Sequence, residues 1–183
     1  MRSPLPVLLL VLLLLLPTAC HHAAATTGRV TWVYDGDTIE VADLGRVRLL
    51  GIDVPESAAS DRDRFYQRQF RIAAPTLRSV ARQAKEFVMT KSHGRTVRLE
   101  FDRQRTDAYG RLLAYVYLPD GELLNLALID RGLATVFRRA DFVRKEQFFA
   151  AERTARDRQI GIWQKRAEDP DAAPQERLRP AVR

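Results

Sequence analysis

The chain is poor in cysteine and histidine, the residue types that form disulfides, most zinc sites and many acid–base pairs. Its single cysteine, Cys20, allows the body no disulfide and no cysteine zinc site. Of the three histidines, His21 and His22 lie beside an apolar leader, which leaves His93 alone in the body. This scarcity excludes a histidine-rich metal site and leaves little room for a Ser-His-Asp triad. Any catalysis must rely on carboxylates, arginines and tyrosines, with or without a hard metal ion.

An apolar run long enough to cross a membrane is also missing. The run from Val7 to Leu16 falls short of the roughly 20 residues that a bilayer requires, and it has the length of the apolar part of a secretory leader. Arg2 precedes this run, and small residues up to Ala25 follow it. Residues 1–25 are therefore predicted to be a signal peptide, and the chain is expected to be exported, either secreted or periplasmic.

The position of Cys20 gives an alternative to free secretion. It follows "LPTA" directly after the apolar run, as the modified cysteine of a bacterial lipoprotein would. Cleavage before Cys20 would then leave the protein attached to the membrane through a lipid. Pro17 departs from the usual lipoprotein pattern, so lipid anchoring and free secretion both stay open.

Acidic residues are outnumbered by basic ones. The chain has 30 Lys and Arg against 23 Asp and Glu, a net charge of +7, and a pI of about 10.1. Such a charge favours polyanionic partners, namely nucleic acid, anionic lipid or acidic glycans. The alternative is a basic surface without a polyanionic partner. A length of 183 residues with 46% hydrophobic content is enough for one domain with one core.

The spacing of apolar residues places short strands before most of the helices. Three β segments are predicted between Arg29 and Ile52, where polar and apolar residues alternate. Residues 76–92 have helical spacing and end just before Gly94. Further along the chain the same criteria predict strands at 96–101, 112–118 and 133–137, and helices at 125–131 and 141–159.

Two segments have no clear periodicity. Residues 56–75 are polar and rich in arginine, so we expect a long exposed loop, with or without a helical piece. Residues 166–183 combine prolines with charges and are predicted to be a disordered tail. The order of the remaining elements, within a domain predicted at 28–165, suits an α+β fold: a five-stranded OB-fold barrel with about three packed helices.

The first unusual group of acids is "DGDT". Asp35 and Gly36 alone would be explained by a hairpin turn, since Asp-Gly is a common turn pair. Asp120 and Gly121 form such a pair without a companion acid. Asp37 is the residue that a plain turn does not explain.

Two further groups lie at predicted strand ends. In "RVRLLGIDVPE", Arg48 and Asp53 flank an apolar strand, and the following proline pushes Val54 into an extended conformation, with Glu56 beyond it. In "RTDAYGRLLAY", Asp107, Tyr109 and Arg111 surround a glycine turn. This third group would also fit an ordinary hairpin whose arginine forms a surface ion pair.

Together these groups resemble the staphylococcal nuclease family. The motifs "DGDT", "RLLGIDVPE" and "RTDAYGRLLAYVY" stand in the family's order and spacing, followed by "NLALIDRGLA" and "GIW". The resemblance covers roughly Val30 to Trp163. It implies an OB-fold barrel with three helices, and calcium-dependent hydrolysis of DNA and RNA.

The resemblance also implies roles for individual residues. The calcium ligands would be Asp37, Asp53 and the backbone carbonyl of Val54, an oxygen set that suits Ca²⁺. The catalytic residues would be two phosphate-binding arginines and a carboxylate that accepts a proton from the attacking water or orients it: Arg48, Arg111 and Glu56.

The substrate-binding region departs from the family pattern. Tyr109 is expected beside the nucleotide with Asp107, but Ala108 stands where the family often has a lysine. Where relatives place a tyrosine pair, this chain has "FRRADF", so Arg138 or Arg139 would hold phosphate instead. The arginine-rich loop 56–75 either extends the nucleic-acid track through its aromatic residues or is a solvated loop.

Two alternatives to a nuclease stay open at this point. One is an OB-fold module that binds nucleic acid without cutting it, although such modules typically lack the acids and arginines retained here. The other is a basic surface protein that binds acidic polymers and uses calcium only structurally. Under each of these hypotheses the protein is expected to be a monomer. Its partner would be DNA and RNA, or another polyanion, and no protein partner is implied.

Overall fold

The computed structural model describes residues 26–164. The predicted signal peptide, the lipidation site at Cys20 and the charged tail 166–183 lie outside the described residues. Within residues 26–164, no helix combines the length and the apolar character that a membrane crossing requires.

Five strands form a closed barrel. They are β1 (Thr26–Val33), β2 (Thr38–Val41), β3 (Gly45–Leu49), β5 (Thr96–Thr106) and β6 (Leu112–Tyr117). Their order around the barrel is β1-β2-β3-β6-β5, and an antiparallel pairing of β1 with β5 closes it. Only β3 and β6 pair in parallel within this barrel. The predicted α+β class with a five-stranded OB-type barrel is confirmed.

The alternating pattern of polar and apolar residues in the strands places aliphatic side chains inside the barrel. Inward positions of the strands carry branched aliphatic side chains that are fully buried, among them Val33, Ile39, Val47 and Leu99. Such side chains suit a pleated surface that is half buried. A short antiparallel pair, β4 (Ile52–Asp53) with β7 (Thr135–Val136), lies beside the barrel and carries Asp53.

Residues 26–164 contain four helices, where the sequence predicted about three and left a helical piece within 56–75 open. They are α1 (Arg62–Phe70), α2 (Ala74–Ser92), α3 (Leu124–Asp130) and α4 (Lys145–Asp157), followed by a 3₁₀ turn at Gly161–Trp163. Helix α1 occupies the middle of the segment predicted as a loop. The sequence signal was weak because only Tyr66 of this helix is fully buried.

Helix α4 begins later than the predicted residue 141. The backbone N–H of Val143 donates to Asp102 Oδ2 at 2.7 Å, and that of Arg144 donates to the Tyr115 hydroxyl at 3.2 Å. Because β5 and β6 supply these acceptors, the chain before Lys145 is held against the barrel and the helix starts there.

A buried asparagine ties α3 to the barrel near the functional pocket. Asn125 Nδ2 donates to the carbonyls of Leu50 and Ala114, and its Oδ1 accepts from the Val116 N–H at 2.9 Å. A buried amide with this many partners is fully satisfied and directional. Asn125 therefore holds the backbone between β3 and β4 in position.

Candidate active site

One pocket of about 580 Å³ collects most of the residues predicted to be functional. It lies where the β1–β2 turn, the end of β3, strand β4 and the β5–β6 loop meet. Eight predicted residues line it: Asp37, Arg48, Asp53, Val54, Glu56, Asp107, Tyr109 and Arg111. The two remaining ones, Arg138 and Arg139, are not among the lining residues.

The β1–β2 turn delivers Asp37 into this pocket. Asp37 is only 4% exposed, and its Oδ1 accepts from the Thr38 hydroxyl at 2.9 Å and from Arg48 Nη1 at 2.7 Å. Gly36 permits this placement, because a Cβ there would lie 2.6 Å from the Cβ of Ala84 on α2. The glycine is thus required by close approach and not only by a turn.

Burial opposes the ionisation of Asp37. It raises the pKa of this carboxyl from 3.8 to about 7, and the neighbouring Asp35 and Asp53 carboxylates add to the rise. Arg48 and the Thr38 hydroxyl act in the opposite direction without cancelling the effect of burial. Additional positive charge in the pocket would stabilise the ionised form of this buried carboxyl group.

Strand β4 places the second buried carboxylate, Asp53. Its Oδ2 accepts from the Tyr66 hydroxyl at 2.7 Å and from Arg62 Nη2. Burial and the Asp53 charge raise the pKa of Tyr66, so the phenol stays protonated and acts as a donor. Both Arg62 and Tyr66 belong to α1, the helical piece that the sequence left open within residues 56–75.

Arg48 on β3 lies between the two carboxylates. Its Nη1 is 2.7 Å from Asp37 Oδ1, and its Nη2 is 3.7 Å from Asp53 Oδ1. The guanidinium therefore joins both acids and lines the pocket at the same time.

The β5–β6 loop holds Arg111 through Asp107. Arg111 Nε donates to Asp107 Oδ2 at 2.7 Å, and Arg111 Nη2 lies 2.6 Å from the same oxygen in an ion pair. Asp107 Oδ1 also accepts from the backbone N–H groups of Tyr109 and Arg111. Burial works against ionisation of Asp107, but these hydrogen bonds outweigh it and lower its pKa. Asp107 thus orients the Arg111 side chain, and its contact with substrate stays a prediction.

Of the eight predicted residues that line the pocket, Tyr109 and Glu56 are exposed. Tyr109 is 86% exposed, with the Arg111 guanidinium 5.5 Å from its ring centre. Glu56 is exposed at the pocket, and its backbone carbonyl accepts from Arg78 on α2. The main chain at Glu56 is thus anchored, while its carboxylate faces solvent-filled space.

Arg138 and Arg139 are placed elsewhere. Arg138 pairs with the buried carboxylate of Glu152 on α4, and its guanidinium lies 5.1 Å from the Phe70 ring centre. Arg139 is exposed. The predicted phosphate-binding role of these two arginines finds no support in the geometry of the pocket.

Comparisons with known proteins agree with the geometry. The profile described as "Staphylococcal nuclease homologue" matches residues 46–165. The chain belongs to the staphylococcal nuclease family. The matched range includes Arg48, Asp53, Glu56 and Arg111 and begins after Asp37.

Individual relatives in this family cover most of the chain. The thermonuclease of Staphylococcus intermedius is 33% identical over 141 residues, which span 73% of this chain and 73% of the relative. The thermonuclease of Staphylococcus hyicus is 32% identical over 146 residues, or 78% of each chain. An "Uncharacterized endonuclease" of Escherichia coli is 30% identical over 139 residues, or 74% of this chain and 76% of the relative.

Four pocket-side residues escaped the sequence analysis. Arg62 and Tyr66 contact Asp53, and Arg82 and Lys85 of α2 line the pocket. The i, i+3 spacing of Arg82 and Lys85 places both on one helix face and could have indicated a basic surface. Arg62 and Tyr66 could have been found only by recognising α1, since their contacts reach back to β4.

The donor set of this nuclease-family pocket suits a hard divalent cation. In the described part of the chain, no group of three or more His, Cys, Asp and Glu side chains forms a ready metal cluster. The carboxylates of Asp37 and Asp53 nevertheless line one pocket together with Val54, and carboxylate and backbone carbonyl oxygens are ligands that Ca²⁺ takes. Burial is the largest cause of the raised pKa of Asp37, so a cation bound beside this carboxyl would stabilise its ionised form. The residues present therefore fit such an ion.

Proposed function

We propose that this protein is a calcium-dependent nuclease that hydrolyses phosphodiester bonds in DNA and RNA with little preference for the sugar. The observation that carries this proposal is one pocket containing two buried carboxylates, two arginines and an exposed carboxylate. The names of the relatives, thermonucleases and endonucleases, support the nuclease part of it. The choice of calcium rests on the oxygen-only donor set.

Asp37, Asp53 and the Val54 carbonyl would hold the ion. When bound, calcium supplies positive charge that polarises a phosphate oxygen and favours hydroxide over water. Asp37 approaches the pocket from the β1–β2 turn and Asp53 from β4, so the packing of these two segments sets their separation. Two carboxylates and one carbonyl leave coordination positions for water and substrate.

The two arginines bind and stabilise the phosphate. A planar guanidinium presents two parallel N–H donors to phosphate oxygens, which a lysine cannot do. Asp107 holds Arg111 through a hydrogen bond from Nε and an ion pair with Nη2, so this side chain is oriented before substrate arrives. Donors fixed in advance stabilise the charge that develops on the phosphoryl oxygens in the transition state.

Glu56 serves the attacking water. It lies at the pocket and is exposed, on a main chain anchored by Arg78. Its carboxylate can accept the proton that water loses or orient that water for attack. Tyr109, exposed at the same edge, offers a ring on which a base can stack.

Cleavage assays test this function. Purified protein is incubated with single-stranded DNA, double-stranded DNA and RNA, first with millimolar calcium and then with excess chelator. Asp37→Ala should lose cleavage, while Asp120→Ala, a turn aspartate outside the pocket, should retain it. Salt-sensitive binding without cleavage, unchanged in Asp37→Ala, would instead indicate a module that only holds nucleic acid.

We also propose export, on the ground of the leader sequence at residues 1–25. Cell fractionation of the full chain tests it, and Cys20→Ser separates the two forms. A lipid-anchored protein would move from the membrane fraction to the soluble fraction in this variant, whereas a freely secreted one would not change.

A further inference from the structure

Helix α1 brings a second arginine to the metal-binding carboxylates. It lies between Glu56 and α2, outside the motifs that carry the family resemblance. Arg62, its first residue, pairs with Asp53 Oδ2, and Tyr66, one turn later, donates to the same oxygen at 2.7 Å. One short helix therefore supplies both partners of that oxygen.

The contacts of Asp53 leave little negative charge unopposed. The side chain is 4% exposed, with Arg62 on Oδ2 and Arg48 Nη2 at 3.7 Å from Oδ1. Because Asp37 also forms an ion pair with Arg48, the two guanidinium groups of Arg48 and Arg62 balance the two carboxylates of Asp37 and Asp53. A divalent cation that binds these carboxylates must displace or outweigh an arginine, since like charges repel at close range.

Arg62 is the arginine that can leave. Its side chain is 40% exposed, against 21% for Arg48, and it lines the pocket. Among residues 26–164 its buried Nε has no hydrogen-bond partner, so its present position leaves one donor unsatisfied. Moving out would give that donor access to water, which lowers the cost of release.

The helix itself is anchored independently of Arg62. Tyr66 is fully buried, Phe70 packs edge-on against Trp163 with ring centres 5.2 Å apart, and Asp63 pairs with Arg78 of α2. Release of Arg62 therefore needs only a side-chain rotation and not the loss of α1.

We propose that Arg62 is a further residue of the metal site, a tethered counter-ion that competes with the divalent cation for Asp53 and so sets the affinity for that cation. This inference rests on the proposed calcium dependence. In the absence of metal, Arg62 keeps Asp53 paired; when metal binds, it gives up that carboxylate and remains at the pocket as a cation for the phosphate.

Calorimetric titration of the protein with CaCl₂, without nucleic acid, tests the proposal. Arg62→Gln removes the competing charge and should tighten calcium binding about tenfold, the scale of one charge-assisted hydrogen bond at a partly exposed site. Arg62→Lys keeps the cation and should stay near the wild-type affinity. Arg64→Gln is the matched control, because this residue of the same helix is 74% exposed and, within the described part of the chain, forms its ion pair with Asp61.

The outcomes separate this inference from the proposed function. If the wild type binds calcium and Asp37→Ala does not, but Arg62→Gln binds no more tightly than Arg64→Gln, the metal site stands and the competition is refuted. Equal tightening in both glutamine variants would mean that only net charge matters and would also refute it. If neither the wild type nor Arg62→Gln binds calcium, the metal dependence and the competition both fail.

Discussion

Asparagine at position 37 should make the metal-free protein more stable at alkaline pH, because it removes a carboxylate whose ionisation burial opposes. The pKa of Asp37 rises from 3.8 to about 7 in the folded protein. A carboxyl group with a raised folded-state pKa holds its proton more tightly when folded than when unfolded. The wild type therefore loses stability as the pH rises from about 4 to about 7, and the loss is complete above that window.

The size of this effect follows from the pKa change. A rise of roughly three units at ~1.4 kcal/mol per unit gives about 4 kcal/mol at pH values above 7. This figure already includes the attraction of Arg48, which opposes the rise in the pKa. We therefore expect a gain in the free energy of unfolding of about 4 kcal/mol at about pH 8, and little difference at about pH 4.

Urea unfolding with excess chelator, followed by circular dichroism at several pH values, measures this gain. Asp120→Asn serves as the control, because Asp120 lies exposed in a turn. Excess calcium should reverse the order of the two proteins, since only the wild type keeps both carboxylates for the ion. An Asp37→Asn protein that is no more stable than the wild type at alkaline pH would refute the argument from burial.

Three further changes probe the same pocket. Arg111→Lys should lower kcat at least ~10²-fold, the scale of one lost transition-state donor, and near-normal turnover would contradict the role given to its guanidinium. Asp107→Asn should lower kcat more than it raises KM, because Arg111 loses its charged partner while Tyr109 stays in place; a change in KM alone would point to direct substrate contact. Gly36→Ala should destabilise the protein by about 1–3 kcal/mol in urea unfolding, since its Cβ would press on α2; an unchanged midpoint would show that the turn and α2 separate easily.

The barrel and the pocket could be predicted from sequence for different reasons. Strand alternation is local, so β2, β3, β5 and β6 follow from neighbouring residues such as Val47 and Leu49. The acids and arginines stood out because they broke that alternation at strand ends. Asp37 was found as the residue that an Asp-Gly turn left unexplained.

Helix α1 and the partners of Asp53 could not be read in the same way. The sequence "RDRFYQRQF" has no apolar stripe, and its helix is stabilised by contacts with residues far along the chain, such as Trp163. The late start of α4 has a similar origin, because Asp102 and Tyr115 hold the preceding backbone. Asp107 was assigned to substrate because no local pattern distinguishes an acid that contacts a ligand from one that orients an arginine.

The parallel pairing of β3 with β6 gives this protein a direct link between folding and activity. In that pairing Arg48 lies opposite Leu113, two residues beyond Arg111. The two arginines therefore become neighbours only when distant parts of the chain have joined, and pairings of such sequence separation form slowly. Until β3 and β6 pair, Arg48 and Arg111 lie on strands that are not joined. Recovery of cleavage during refolding should consequently report completion of the barrel itself, which makes the protein's own chemistry a measure of its native state.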